Sequence, residues 1–128
     1  MQAPLEVSLD PRLHPAAGDL EARLALEKQI LDSINTLDHA IANAMTVASK
    51  TPSKRAAIDA EIADLVMLKM DSSEADVLFA DKIRAQLGFL MNSLEGAYQK
   101  PTAAEYASFD ELKGIAAAGE AKLAALTR

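Results

Sequence analysis

Cysteine is missing from this chain altogether, and so is tryptophan. Without thiols there is no disulfide framework, no thiolate metal centre and no cysteine nucleophile. Aromatic side chains are scarce, at three phenylalanines and two tyrosines in 128 residues. That is a thin supply for a β-sandwich core and suits helices packed through Ala, Leu and Ile. Positive charge is in the minority. Thirteen Lys and Arg against 19 Asp and Glu leave a net charge of -6, which argues against a nucleic-acid surface and against attraction to an anionic membrane. No uncharged apolar run approaches the roughly 18 residues that span a bilayer, so no membrane insertion is expected. Gln2 to Asp10 lacks the basic start and continuous apolar run of a signal peptide.

Half the residues are apolar and a quarter charged, the proportions of one globular domain large enough to bury a core. The first dozen residues stand apart. Leu5, Val7 and Leu9 alternate with Glu6 and Ser8 before the break Asp10-Pro11-Arg12, which reads as a β-strand ended by proline. Nothing after Pro15 offers a second strand to pair with it. Residues 1–14 therefore read as an extended strand and linker from a preceding domain, and residues 15–128 as a helical bundle.

Four helices are expected, over about 16–49, 52–70, 74–99 and 103–127. In the first, Leu20, Leu24, Ile30, Leu31, Ile34, Leu37, Ile41, Met45 and Ala48 recur mostly at steps of three and four, giving one apolar stripe. Thr51-Pro52 opens the second, with threonine as cap and proline at the first helical position. Ile58, Ile62, Leu65, Val66 and Leu68 line its inner side, Asp59, Glu61, Asp64 and Lys69 mostly face water, and its end falls near Met70. Asp71 to Glu74 form a connector. Phe79, Ile83, Leu87, Leu90, Leu94 and Tyr98 make the stripe of the third helix, which Lys100-Pro101 stops. Thr102-Ala103-Ala104-Glu105 is a capping box, and Phe109, Leu112, Ala116, Gly119, Leu123 and Leu126 form the inner face of the fourth, its small residues admitting a close neighbour. Short connectors favour an all-α, antiparallel, up-down-up-down four-helix bundle. A three-helix arrangement with the second helix packed across one end is the structural alternative.

The constellations that carry chemistry in such bundles are not formed here. A di-iron centre needs Glu-x-x-His, but Thr36 stands three before His39, and His14 precedes the first helix. His39 with Met67 or Met91 could be imagined as axial haem ligands; the methionines read better as core filling. Glu61 with Asp64, and Asp110 with Glu111, lie on solvated faces that give paired carboxylates no difference in pKa. Ser72 and Ser73 lack a histidine partner, and the glycines form no phosphate loop. Lys50, Lys54 and Arg55 read as ordinary solvated cations at helix ends. No cofactor or metal is expected. Val47, Met67, Phe89 and Met91 fall off the main stripes and read either as a wider core or as a surface for a partner or a second copy.

Two stretches carry a resemblance. Leu5 to Arg12 followed by Ala16-Ala17-Gly18-Asp19-Leu20-Glu21 resembles the passage from a final β-strand into a long helix in secreted bacterial sortilin-like or neuraminidase-repeat β-propeller proteins, often labelled glycosyl hydrolases. Lys82 to Leu90, through Pro101-Thr102 and Tyr106 to Leu112, resembles the last two helices of the same C-terminal region. Together they cover about half the chain and consist of packing and capping patterns. The resemblance implies a secreted or periplasmic parent whose propeller carries any glycosidase activity, and it transfers no catalytic residue to this chain.

The expectation is thus a non-catalytic helical C-terminal domain. Leu5, Val7, Leu9, Asp10, Pro11 and Arg12 would make the junction with a preceding β-rich domain of the same polypeptide. The alternative is an independent interaction or dimerisation module using Phe89 and Met91; a small enzyme comes third.

Overall fold

The computed structural model describes residues 8, 10, 12–66 and 82–128. Among them the fold is all-α, as expected, with no strand. Its helices are α1 (Asp19–Lys50), α2 (Pro52–Leu65), α3 (Ile83–Glu95) and α4 (Ala103–Thr127). Leu5, Val7, Leu9 and Pro11, the connector at 71–74, and Met67, Leu68 and Phe79 lie outside the described residues.

Local chemistry sets the ends. α1 starts at Asp19, not at residue 16, because Gly18 before it takes a left-handed φ of 87° that only glycine adopts without strain. The Ala16 N–H donates to the Asp19 carboxylate at 3.2 Å and the Asp19 N–H to the Ala16 carbonyl at 3.1 Å, closing the entry turn. Thr51 separates α1 from α2, and Pro52 is pre-set for the first turn of α2; the expected side-chain cap from Thr51 is not made. α2 ends at Leu65 rather than near Met70, where Val66 turns to extended backbone at φ −142°, ψ 145°. α3 ends at Glu95, before Gly96, so Tyr98 belongs to the following turn and not to a helix running to residue 99. At α4 the capping box is complete: the Thr102 Oγ1 accepts from the Glu105 N–H at 3.2 Å, while the Glu105 carboxylate accepts from the Thr102 N–H at 2.7 Å.

Contacts at helix ends fix the direction of each helix. Arg84 at the start of α3 pairs with Asp38 midway along α1, and the carbonyl of Ala97, just past the end of α3, meets Arg23 near the start of α1. Lys54 at the start of α2 reaches the carbonyl of Arg128, and Glu61 pairs with Lys122. α2 and α3 thus both run opposite to α1, while α4 returns beside it. Direction alternates between α1 and α2 and between α3 and α4. α2 and α3, which the sequence pattern places antiparallel, instead share one direction and occupy successive lengths of the groove between α1 and α4. Their 14 and 13 residues, about 21 and 20 Å long, nearly match the roughly 48 Å of α1. The two long helices pack most extensively on each other.

The core explains this layout. Leu26, Ile30, Ile34, Leu37, Ile41, Ala44 and Ala48 form the buried seam of α1, at steps of four, four, three, four, three and four. Leu24, Leu31 and Met45, read from the sequence as part of that stripe, are instead about half exposed, at 48, 45 and 54 %. They follow a seven-residue spacing of their own, rotated around the helix from the seam. Ile58, Ile62 and Leu65 of α2, Ile83, Leu87 and Leu94 of α3, and Phe109, Ala116, Gly119 and Leu123 of α4 complete the interior, with Val47, Leu90, Met91, Leu112 and Leu126 packed at its edge. Each fully buried leucine or isoleucine contributes about 1.5–3 kcal/mol. Glu61, expected in water, keeps only 14 % of its side chain exposed because Lys122 reaches across to it at 3.4 Å.

Candidate junction surface

The expected junction residues that are described lie where the chain enters the bundle. Asp10 and Arg12 form a tight bend. The Asp10 carboxylate accepts from the Arg12 N–H at 2.9 Å and from the guanidinium at 2.5 to 3.1 Å, and the Leu13 N–H donates to the Asp10 carbonyl at 2.9 Å. A carboxylate two residues before the donor closes such a turn on itself. Arg12 holds the Asp10 carboxyl below its ordinary value, first through its side chain and then through its N–H, and the Arg12 guanidinium is raised in return. Both groups are water-exposed, so this pair shapes the bend and stabilises little.

Beyond the bend, residues 12–16 run beside the α3–α4 turn. An open groove of about 460 Å³ lies between them, with Arg12, His14 and Asp19 on one side and Tyr98 and Gln99 on the other. Tyr98 is half exposed there. A half-buried arginine sets this position: the Arg23 Nη1 donates to the Ala97 carbonyl, and its Nε lies 3.2 Å from the Glu27 carboxylate. The Nε approach lacks hydrogen-bond geometry, so attraction between the two charges, both largely withdrawn from water, holds it. Arg23 therefore fastens the α3–α4 turn to the first turns of α1. Arg23, His14, Tyr98 and Gln99 were not singled out for this site from sequence. Arg23 did leave a signal, since it stands seven residues before Ile30, a charged residue in register with the buried seam.

The two remaining candidates lie elsewhere. Met91 is half-buried against the core, whereas Phe89 is exposed, and two residues of helix set them about 200° apart. The structure brings neither to the junction end. His14 and His39 are exposed, and Met67 is outside the described residues. Among the described residues no cluster of His, Cys, Asp or Glu could hold a metal ion, and no helix is long and apolar enough to cross a membrane.

A second groove of about 280 Å³ lies between α1 and α4, where Asp32, Ser33 and Thr36 face Lys113 and Glu120. Burial raises the Glu120 carboxyl above its ordinary value. The hydroxyl of Thr36 is already committed to the Asp32 carbonyl at 2.8 Å. No nucleophile and base meet in this groove.

No protein-family model matches this chain, and no curated protein or solved structure matches it either. The chain is thus defined by its fold: an all-α protein in which two short helices fill the groove of two long ones.

Proposed function

We propose that this chain is a non-catalytic helical domain that seats a preceding β-rich domain of the same polypeptide on the end of the bundle where residues 8–16 enter. One observation carries the reading: the self-closed Asp10–Arg12 bend leads directly past an open groove in which Tyr98, a residue with an apolar ring and a polar tip, is half exposed. In this reading Leu5, Val7 and Leu9 add to the edge of the preceding domain's sheet and pair with its backbone groups. The resemblance of the two terminal stretches points to a secreted β-propeller protein as the parent, with glycosidase or ligand-binding activity residing in the propeller.

The test is hydrogen exchange on this chain alone and on the chain extended by the β-rich sequence encoded upstream. Amides of Leu5, Val7 and Leu9 become protected in the longer protein, and the ring resonances of Tyr98 shift. Unprotected amides and an unchanged Tyr98 in the longer protein overturn the proposal, as does turnover of a glycoside by this chain that a single carboxylate substitution abolishes.

A further inference from the structure

Among the ion pairs of the described residues, Arg23 with Glu27 is the one in which both side chains are largely withdrawn from water, at 22 and 16 % exposed. Each of the others keeps at least one partner well exposed. The pairing is also incomplete. The Arg23 Nε and the Glu27 Oε1 stand 3.2 Å apart without hydrogen-bond alignment, and neither atom has a hydrogen-bond partner among the described residues. Arginine before glutamate at i and i+4 is the weaker order for such a pair on a helix. Two charges taken out of water and imperfectly satisfied add little to a fold, and apolar side chains of similar volume in their place are commonly neutral or stabilising.

Stability therefore does not account for the pair, whereas its position does. The same guanidinium donates through Nη1 to the carbonyl of Ala97, the residue before Tyr98 and 74 positions from Arg23. The turn is anchored on both sides of its exposed part. The Ala97 N–H donates to the Leu94 carbonyl at 3.0 Å, and Pro101 is buried ahead of the capping box of α4. Tyr98, Gln99 and Lys100 lie exposed between these anchors, and Arg23 ties their near end to α1. Arginine suits the task, because its planar fork presents several N–H donors in fixed geometry, so one end can hold Ala97 while another faces Glu27. Glu27 supplies the counter-charge that lets a guanidinium sit beneath the turn.

We propose that the Arg23–Glu27 pair is kept to position the α3–α4 turn, and with it Tyr98, for docking of the preceding domain, and that folding does not need it. The part played in docking rests on the junction reading of residues 8–16; the hold on the turn does not.

Two variants test this, each made in this chain and in the chain extended by the upstream sequence. Arg23→Met with Glu27→Leu replaces the pair by apolar side chains. Its urea midpoint should equal or exceed the parent's, while exchange of the Ala97 amide quickens about tenfold and the Tyr98 ring resonances move toward those of an unstructured tyrosine. Glu27→Gln keeps the Arg23 donor on Ala97 but strips its counter-charge. Its urea midpoint should fall, while Ala97 exchange changes less than about twofold. In the extended protein the double variant should lose about tenfold in protection at Leu5, Val7 and Leu9, and Glu27→Gln should retain it. A double variant that unfolds or has a lowered midpoint overturns the proposal, and so does one whose Ala97 amide exchanges at the parent rate. A loosened turn in this chain, together with unprotected Leu5, Val7 and Leu9 in the extended parent, supports the hold on the turn and overturns the junction reading instead.

Discussion

Gly119 on α4 lies directly against Leu65, the last residue of α2. A Cβ added at Gly119 would overlap the Leu65 Cδ2 methyl, and would stand 3.1 Å from its Cδ1 and 3.3 Å from its Cγ. Helix α2 approaches α4 this closely because position 119 has no side chain. The same contact marks where α2 stops, with Val66 already extended.

Gly119→Ala should therefore destabilise the fold, although alanine is the better helix former. Overpacking costs about 1–3 kcal/mol, and the gain in helix propensity returns about 1 kcal/mol. Gly114→Ala, on the same helix with nothing within 4 Å of the added Cβ, should stabilise by up to about 1 kcal/mol. Urea denaturation of the two variants gives opposite signs. In a double-mutant cycle, the cost of Gly119→Ala should shrink in a Leu65→Ala background, where the overlapping methyls are gone.

Thr102→Ala removes one half of the capping box. The Glu105 N–H loses its acceptor, and the Glu105 carboxylate keeps the Thr102 N–H. The expected loss is about 0.5–2 kcal/mol, accompanied by faster amide exchange in the first turn of α4. Thr51→Ala is the comparison, since Thr51 makes no side-chain cap, and it should cost clearly less.

Glu120 should make the fold less stable as pH rises. Burial raises its carboxyl in the folded chain, so the folded state holds the proton more tightly than the unfolded one. The stability tied to the neutral form is complete below the unfolded value, about pH 4, and is lost as pH climbs through the raised folded value. Glu120→Gln should therefore be more stable than the parent at pH 7 and indistinguishable from it below about pH 4. Denaturation curves at the two pH values check this; an equal difference at both contradicts it.

Asp10 should behave in the opposite sense. Arg12 depresses its carboxyl, so the closed bend persists at neutral pH and opens only as pH falls through that lowered value. Carbon-13 titration of the Asp10 carboxyl should give a midpoint below its ordinary 3.8, and Arg12→Ala should move it toward that value, the N–H at position 12 keeping part of the depression. The overall melting temperature should move little, because both groups are in water.

Among the described residues, the sequence by itself determined the helical class and the helix ends at Lys50, Pro52, Ala103 and Thr127. Those features rest on chemistry within a few residues: Pro52 opening α2, the Thr102 and Glu105 box opening α4, and Phe109 to Leu123 recurring at helical steps. It also marked Asp10-Pro11-Arg12 as the break after an extended stretch, because proline ends a strand; the pairing of Asp10 with Arg12 came from the structure. Only the tertiary structure decided which apolar residues of α1 are covered. Leu24, Leu31 and Met45 match Ile30 and Leu37 in hydrophobicity, and the choice between the two seams lies in where α2, α3 and α4 pack. The shared direction of α2 and α3, the half-burial of Arg23 beneath Ala97 and the position of Tyr98 at the mouth of the entry groove were hidden for the same reason. Each depends on contacts between residues dozens of positions apart, which local periodicity does not record.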